Sequence, residues 1–224
     1  MSEFEHKTLT PWGYFIDSEA LPDFITTTEF VNFTNNKFGN TDTRIVTNIG
    51  SATASVRNFC GWHISPVLTC GMVYNVHDLR DAFVGSDLII QLPAGLVHSV
   101  DKVVLNAILN TETGDYEGEI VEPDRVDFGM GDGLVTIYDV GCLDRRSKIF
   151  IKYVAGYPDA QMSAIKELVA NGVTHSLTNT FGVNSEAAGG VSVSYNAAWS
   201  SQGSTALSND TRETLEFYKV KGVF

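Results

Sequence analysis

Hydrophobic and polar positions change texture several times along this chain, and each change predicts a different kind of element. Residues 1–24 form a polar run interrupted by Pro11 and Pro22, which nevertheless gathers Trp12, Tyr14, Phe15 and Ile16. The segment has no period of its own and reads as an extended arm whose aromatics dock on this subunit or on a neighbour. Thr26 followed by Glu29 has the capping-box spacing and predicts a short helix to about Phe38, stopped by Gly39. Asp42 can cap a second helix, in which Ile45, Ile49, Ala52, Val56 and Phe59 recur at spacings of four and three on one apolar face. Gly61 is placed for a left-handed C-cap, and Pro66 prevents the helix from resuming.

From Gly71 to about Gly156 the period shortens to β-prone runs: Leu88–Leu92, Val97–Leu105, Tyr116–Val121, Leu134–Tyr138 and Ile149–Val154. Thr113-Gly114-Asp115 marks a hairpin turn, so a small antiparallel sheet inserted between helical segments is expected. Pro158 suits a first helical turn, and Met162, Ile165, Leu168, Val169 and Leu177 then predict a third helix, weakened at Gly172, that packs against the second. Gly189-Gly190 opens an alternating strand through Val191, Val193 and Tyr195, and Ser200–Ser204 is polar. Ser208 can cap a last helix with Leu215 and Tyr218 on one side, before a tail from Lys219 to Phe224.

The expected fold class is therefore α+β: a small bundle of about four helices with an inserted antiparallel β subdomain and extended N- and C-terminal arms. In residue ranges this is an arm at 1–24, a first bundle segment at 25–70, the β insertion at 71–156, a second bundle segment with a strand at 157–207, and a C-terminal helix and tail at 208–224.

Composition narrows the function. With 224 residues, 43% of them hydrophobic, the chain can bury a real core. No stretch approaches a membrane span, and the first 25 residues carry Glu3, Glu5, Asp17, Glu19 and Asp23 where a signal peptide has an apolar core, so a soluble, unexported protein without membrane partners is expected. Cys60, Cys70 and Cys142 are too few and scattered for a disulfide framework and fit a reducing place of folding. A net charge of −12, from 27 acidic and 15 basic residues, opposes tight nucleic-acid binding. It serves solubility, or a surface past which DNA slides without sticking.

Candidate chemistry is sparse. Gly129-Met130-Gly131-Asp132-Gly133 lacks the Lys-Ser/Thr of a phosphate loop and reads as a turn. No Gly-x-Ser-x-Gly elbow is present. Cys60, His63, Cys70 and His77 have zinc-suited donors at spacings that match no common zinc motif, so a buried, inert Cys60 is the better reading. Glu117, Glu119, Glu122, Asp124, Asp127 and Asp132 offer hard oxygens without the order of a calcium loop. Trp12, Trp62 and Trp199 are too far apart in sequence to form a stacking platform without tertiary coincidence. No catalytic residue, metal site or cofactor is assigned, and an enzyme is not expected.

The string Phe59-Cys60-Gly61-Trp62-His63-Ile64-Ser65-Pro66 closing the second of two early helices, a β insertion, and Tyr153-Val154-Ala155-Gly156-Tyr157-Pro158 entering a long helix together resemble the head-to-tail adaptor proteins of tailed bacteriophages. The matching stretches are Leu21–Phe30, Ile49–Pro66, Lys152–Ala170, Ser185–Tyr195 and Leu215–Val223, while the arm and the large insertion depart from a minimal helical adaptor. The resemblance implies a virion protein of the neck, assembled in the host cytoplasm. It implies a homo-oligomeric, twelve-fold ring that binds the portal protein, docks a stopper or tail protein, and passes genome DNA through its channel without specific binding. It places portal contacts on Leu215, Phe217, Tyr218, Lys219, Val220, Val223 and Phe224, a tail suited to adding a strand to a sheet edge. The arm aromatics Trp12, Tyr14 and Phe15, with Ile16, become candidates for contact between subunits. Other readings are another neck or tail component such as a tail-completion protein, or a carbohydrate-binding or hydrolytic module using Trp199 or Glu119.

Overall fold

The computed structural model describes residues 8–39, 42–141, 143–178, 185–188, 191–194 and 209–220. Helices and antiparallel sheets together make an α+β fold. The chain divides into two compact units, passing between them after Leu21, Cys60, Pro158 and Lys219.

The helical unit takes residues 22–60 and 159–219. Its first helix, α1 (Thr27–Phe33), starts as the sequence predicts: the Thr26 hydroxyl accepts from the Glu29 N–H, and the Glu29 carboxylate accepts from the Thr26 N–H at 2.7 Å. It stops earlier than Phe38, because Asn35 and Asn36 both adopt left-handed backbone (φ 51° and 58°), which asparagine tolerates better than most residues. Phe38 still folds back on Phe30, with ring centroids 5.7 Å apart.

Helix α2 (Thr43–Cys60) is capped by Asp42, whose carboxylate accepts from the Arg44 N–H at 3.0 Å. Its predicted face holds: Ile45, Ile49, Ala52 and Val56 are buried, although Cys60 rather than the half-buried Phe59 completes it. Gly61 follows with φ 79°, the left-handed residue that ends the helix. Pro158 does not open the next helix. A 3₁₀ turn, Asp159–Gln161, intervenes, and α3 runs Ser163–Thr178 with Ile165, Val169, Ala170 and Val173 buried and Leu168 and Leu177 half-buried. As expected, α3 packs on α2, as do α1 and α4 (Asn209–Glu216).

The predicted strand at Val191 is one arm of a hairpin whose other arm the sequence did not announce. In the numbering of the whole chain these are β11 (Ser185–Ala188) and β12 (Val191–Ser194), antiparallel. Tyr195, Trp199, Ser200–Ser204 and Ser208 lie outside the described residues.

The β unit begins with the supposed arm. Strand β1 (Thr8–Leu9) turns back through a tight loop, closed by Thr10 and Tyr14 and eased by Gly13 at φ 88°, into β2 (Phe15–Ile16). Strand β2 pairs with β3 (Leu68–Asn75), so residues 8–21 carry strands of the sheet and are not a free extended arm. The reason is local: alternation places Tyr14 and Ile16 on one side, and both are buried by their own unit. Next comes a 3₁₀ stretch, Val76–Ala82, then β4 (Phe83–Val84), β5 (Asp87–Gln91), β6 (Val97–Leu109), β7 (Tyr116–Ile120), β8 (Val126–Phe128), β9 (Leu134–Ile137) and β10 (Lys148–Ala155).

These strands make two antiparallel sheets where one was expected, a six-stranded sheet in the order β1-β2-β3-β10-β6-β7 and a four-stranded sheet β4-β5-β9-β8. Strand β10 is the spine of the larger sheet, with Ile149, Ile151, Tyr153 and Ala155 all fully buried on its inner face. The smaller sheet alternates in the same way, burying Leu88, Ile90, Val135 and Ile137, and the Tyr74 hydroxyl donates to Gln91 O at 2.8 Å to join β3 to β5. The glycine-rich loop is the turn it was expected to be: Gly129 and Leu134 close it, and a Cβ on Gly133 would lie 2.4 Å from Ala94 O.

Candidate interaction surfaces

The string that ends α2 is a packing corner. Trp62, His63 and Ile64 are completely buried. The His63 Nε2 lies 3.1 Å from Pro66 O and 3.2 Å from Ala155 O, two acceptors, so it carries the proton. Its Nδ1 then accepts from the Tyr14 hydroxyl at 2.8 Å, and that hydroxyl accepts from the His63 N–H at 2.9 Å. Trp62 meets the His63 ring edge-on at 5.3 Å and the Tyr157 ring at 5.9 Å. A histidine whose ring nitrogens both bond to the protein is a structural clasp, here fastening the N-terminal turn to the start of β3 and the end of β10.

The four metal suspects are dispersed. Cys60 is buried against the last helix, its Sγ 3.8 Å from Leu215 O, and burial pushes its thiol up to about 12. Burial does the same to Cys70, on β3. His77 lies exposed in the 3₁₀ stretch, beside Asp78. Among the described residues no group of three or more His, Cys, Asp or Glu side chains is arranged to hold a metal ion. Both described tryptophans, Trp12 and Trp62, are at least partly covered, Trp12 stacking at 6.1 Å on Tyr14. No helix among the described residues is long and apolar enough to cross a membrane.

The residues singled out at the C-terminus separate into two groups. Leu215 is fully buried and Tyr218 nearly so, which makes them packing residues of the helical unit rather than contacts for a partner. The reason is helical spacing, since residues three apart share a face. Phe217 is 74% exposed, meeting the edge of Tyr218 at 5.3 Å. Lys219 is exposed, its ammonium 5.2 Å from the centre of the Phe59 ring and 3.3 Å from Glu216, and Val220 is half-buried. Val223 and Phe224 lie outside the described residues. Of the four arm residues, Tyr14 and Ile16 are inside their own subunit, contrary to the expectation of a contact between subunits, while Trp12 and Phe15 remain partly exposed.

A second surface went unread in the sequence. Strand β6 continues four residues beyond its expected end at Leu105, and with β7 it forms a hairpin at the sheet edge that carries Ile108 (72% exposed), Leu109 (47%) and Ile120 (61%). Pairing slips between Leu105 and Ile108, where Asn106 bulges out at φ 52° and its side-chain oxygen accepts from Ser147 Oγ at 2.6 Å. Gly118 opposite is required by close approach, since a Cβ there would lie 2.4 Å from Leu105 O. The signal was the apolar triplet Ala107-Ile108-Leu109, hidden behind an asparagine that looks like a strand end.

No protein-family model matches the chain, and no curated protein matches it. Solved structures do. A chain in the neck of an empty gene transfer agent (GTA) particle, computed with C6 symmetry, superposes with a TM-score of 0.51 at 13% identity, covering 74% of this chain and 85% of that one. A chain in the virion of a native gene transfer agent particle superposes with a TM-score of 0.52 at 11% identity, covering 92% of this chain and 94% of that one. At such identities the likeness is one of fold, and in the second case it extends over nearly the whole length of both chains: this protein has the fold of a gene transfer agent virion subunit.

Proposed function

We propose that this chain is a non-enzymatic structural protein of a phage-like particle. In this reading it acts in the neck as a head-to-tail adaptor that forms a ring beneath the portal, lengthens the DNA channel and docks a stopper or tail protein. The observation that carries the reading is the near full-length likeness to a virion chain, together with the likeness to a chain of a particle neck. Its work is geometric, since repeated head-to-tail contacts between identical copies close a ring, twelve-fold on a portal. The acidic balance of 27 against 15 suits a channel wall that duplex DNA slides past.

The portal contact belongs to the exposed portion of the C-terminal element, Phe217, Lys219 and the tail from Val220 to Phe224, and not to Leu215 or Tyr218. Trp12 and Phe15 are the arm residues still available to a neighbouring copy.

The test is an image of particle necks carrying a label fused to this chain. Density directly beneath the portal supports the adaptor. Density lower in the neck or on the tail replaces it with another neck or tail component, and unlabelled particles remove the reading altogether. The variant Phe217→Ala, with the chain cut after Val220, is expected to leave the fold intact and to lose attachment to portal-bearing heads.

A further inference from the structure

Two buried side-chain polar atoms among the described residues make no hydrogen bond to the protein: Gln91 Oε1 and Tyr153 Oη. They are not equivalent. Gln91 is half-buried, and its amide is already fixed through Nε2, which donates to Leu92 O at 3.1 Å and to Asp132 O at 2.6 Å. Tyr153 has no exposure at all, and the hydroxyl is the one polar group of its side chain.

That hydroxyl keeps its proton. Burial first, and then the neighbouring Cys70, Tyr74 and Tyr14, hold it well above the usual range of a tyrosine. It is therefore a donor aimed into the core of the β unit without an acceptor, a situation that native interiors rarely leave uncompensated.

The groups around it have the opposite need. Strand pairing sets Cys70 opposite Tyr153, and Tyr74 stands on the same face of β3, four residues further along. Each has already committed its proton: the Cys70 thiol to Leu68 O at 3.6 Å, and the Tyr74 hydroxyl to Gln91 O at 2.8 Å. The Tyr14 hydroxyl is likewise engaged, donating to His63 Nδ1 while accepting from the His63 N–H. What the Cys70 sulfur and the Tyr74 oxygen still offer is lone pairs. Neither lies in hydrogen-bonding geometry with Tyr153 Oη, so the donor and the acceptors face one site without meeting.

We propose that one internal water molecule is a fixed part of this core, accepting from the Tyr153 O–H and donating to Tyr74 Oη and Cys70 Sγ. Three such bonds are what a buried water ordinarily makes, and a polar site with two to four partners is what it requires. A metal ion does not suit the same site, because it has no carboxylate, and the thiol and the hydroxyl both hold their protons. The water extends the Tyr74–Gln91 link, so that β10 as well as β3 is fastened to β5 of the smaller sheet. This core site is independent of the chain's place in a particle.

The experiment compares the full-length chain with Tyr153→Phe, which keeps the ring and removes the donor. Crystals diffracting well enough to show ordered waters are expected to hold density about 3 Å from Tyr153 Oη, lost or displaced in the variant. In solution, cross-relaxation between a long-lived water and the Tyr153 ring protons should appear in the natural chain and vanish in the variant. Urea unfolding supplies the sign. A water deprived of its donor leaves buried groups unsatisfied, so Tyr153→Phe should shift the unfolding equilibrium about fivefold or more towards the unfolded chain. A hydroxyl that is merely orphaned predicts the reverse, since deleting it removes a cost. A variant as stable as the natural chain, or more stable, therefore overturns the site. So does a natural chain whose Tyr153 Oη sits directly on Cys70 Sγ with no water between, a result that decides the matter even if the variant does not fold.

Discussion

Removing one oxygen atom tests how the N-terminal segment is held. In Tyr14→Phe the ring remains, fully buried and stacked beside Trp12, but the hydroxyl that serves His63 twice is gone. The His63 N–H and Nδ1 lose that partner where His63 has no exposure to water. A buried donor or acceptor deprived of its partner costs about 1–3 kcal/mol. With two groups affected at one corner, the expected destabilisation is about 2–4 kcal/mol. For a chain of this size a kilocalorie shifts the melting temperature by about 2–4 °C, so a fall of roughly 5–15 °C is expected. The assay is urea and thermal unfolding of the purified chain, followed by circular dichroism. If the segment instead docked on a neighbouring subunit, the variant would leave the isolated chain unchanged and weaken only association. A difference below about 0.5 kcal/mol, the scale of an ordinary surface change, would refute the clasp.

Thr26→Ala, which breaks the capping box, should cost about 1 kcal/mol of stability in the same unfolding assay. The same site has a pH signature. The Glu29 carboxyl is held below its usual range first by the Thr26 backbone N–H and then by Lys166, which lies 2.9 Å away and also bridges to Asp159. A depressed carboxyl contributes stability above its unfolded value near about 4.3 and loses it as pH falls through the folded value. Lys166, raised chiefly by Asp159 and then Glu29, contributes below its unfolded value near about 10.4 and is lost at higher pH. Glu29→Gln should therefore flatten the acid limb of stability against pH, and an unchanged acid limb would count against the network. Finally, Cys60 and Cys70, both buried with thiols pushed up to about 12, should resist a thiol reagent at a pH of about 8 in the folded chain and react fully in denaturant. Peptide mapping of the modified sites is the measurement, and rapid labelling of either residue in the folded chain would contradict its burial.

Several elements were determined by the sequence alone because their causes are local. The capping box at Thr26, the cap at Asp42, the apolar spacing of α2 and the left-handed Gly61 act over three or four residues, and the structure follows them. The same holds for the Thr113-Gly114-Asp115 turn, where Gly114 takes φ 74°, and for the burial of Cys60. What only the tertiary structure decided depends on which strand lies beside which. Tyr14 and Ile16 look like an adhesive arm until β2 is seen to pair with β3, because a two-residue strand has too few alternating positions to announce a partner. The division of the β region into two sheets is likewise set by pairing between distant segments, such as Ile149 with Tyr74 and Leu105. The exposure of Phe217 beside buried Leu215 and Tyr218 is a matter of which side of α4 and of the turn that follows it is covered by the helical unit. Ile108 shows the same limit most sharply. It lies past Leu105, where the strand was expected to end, and only the bulge at Asn106, a property of two strands paired out of step, turns it outward to solvent.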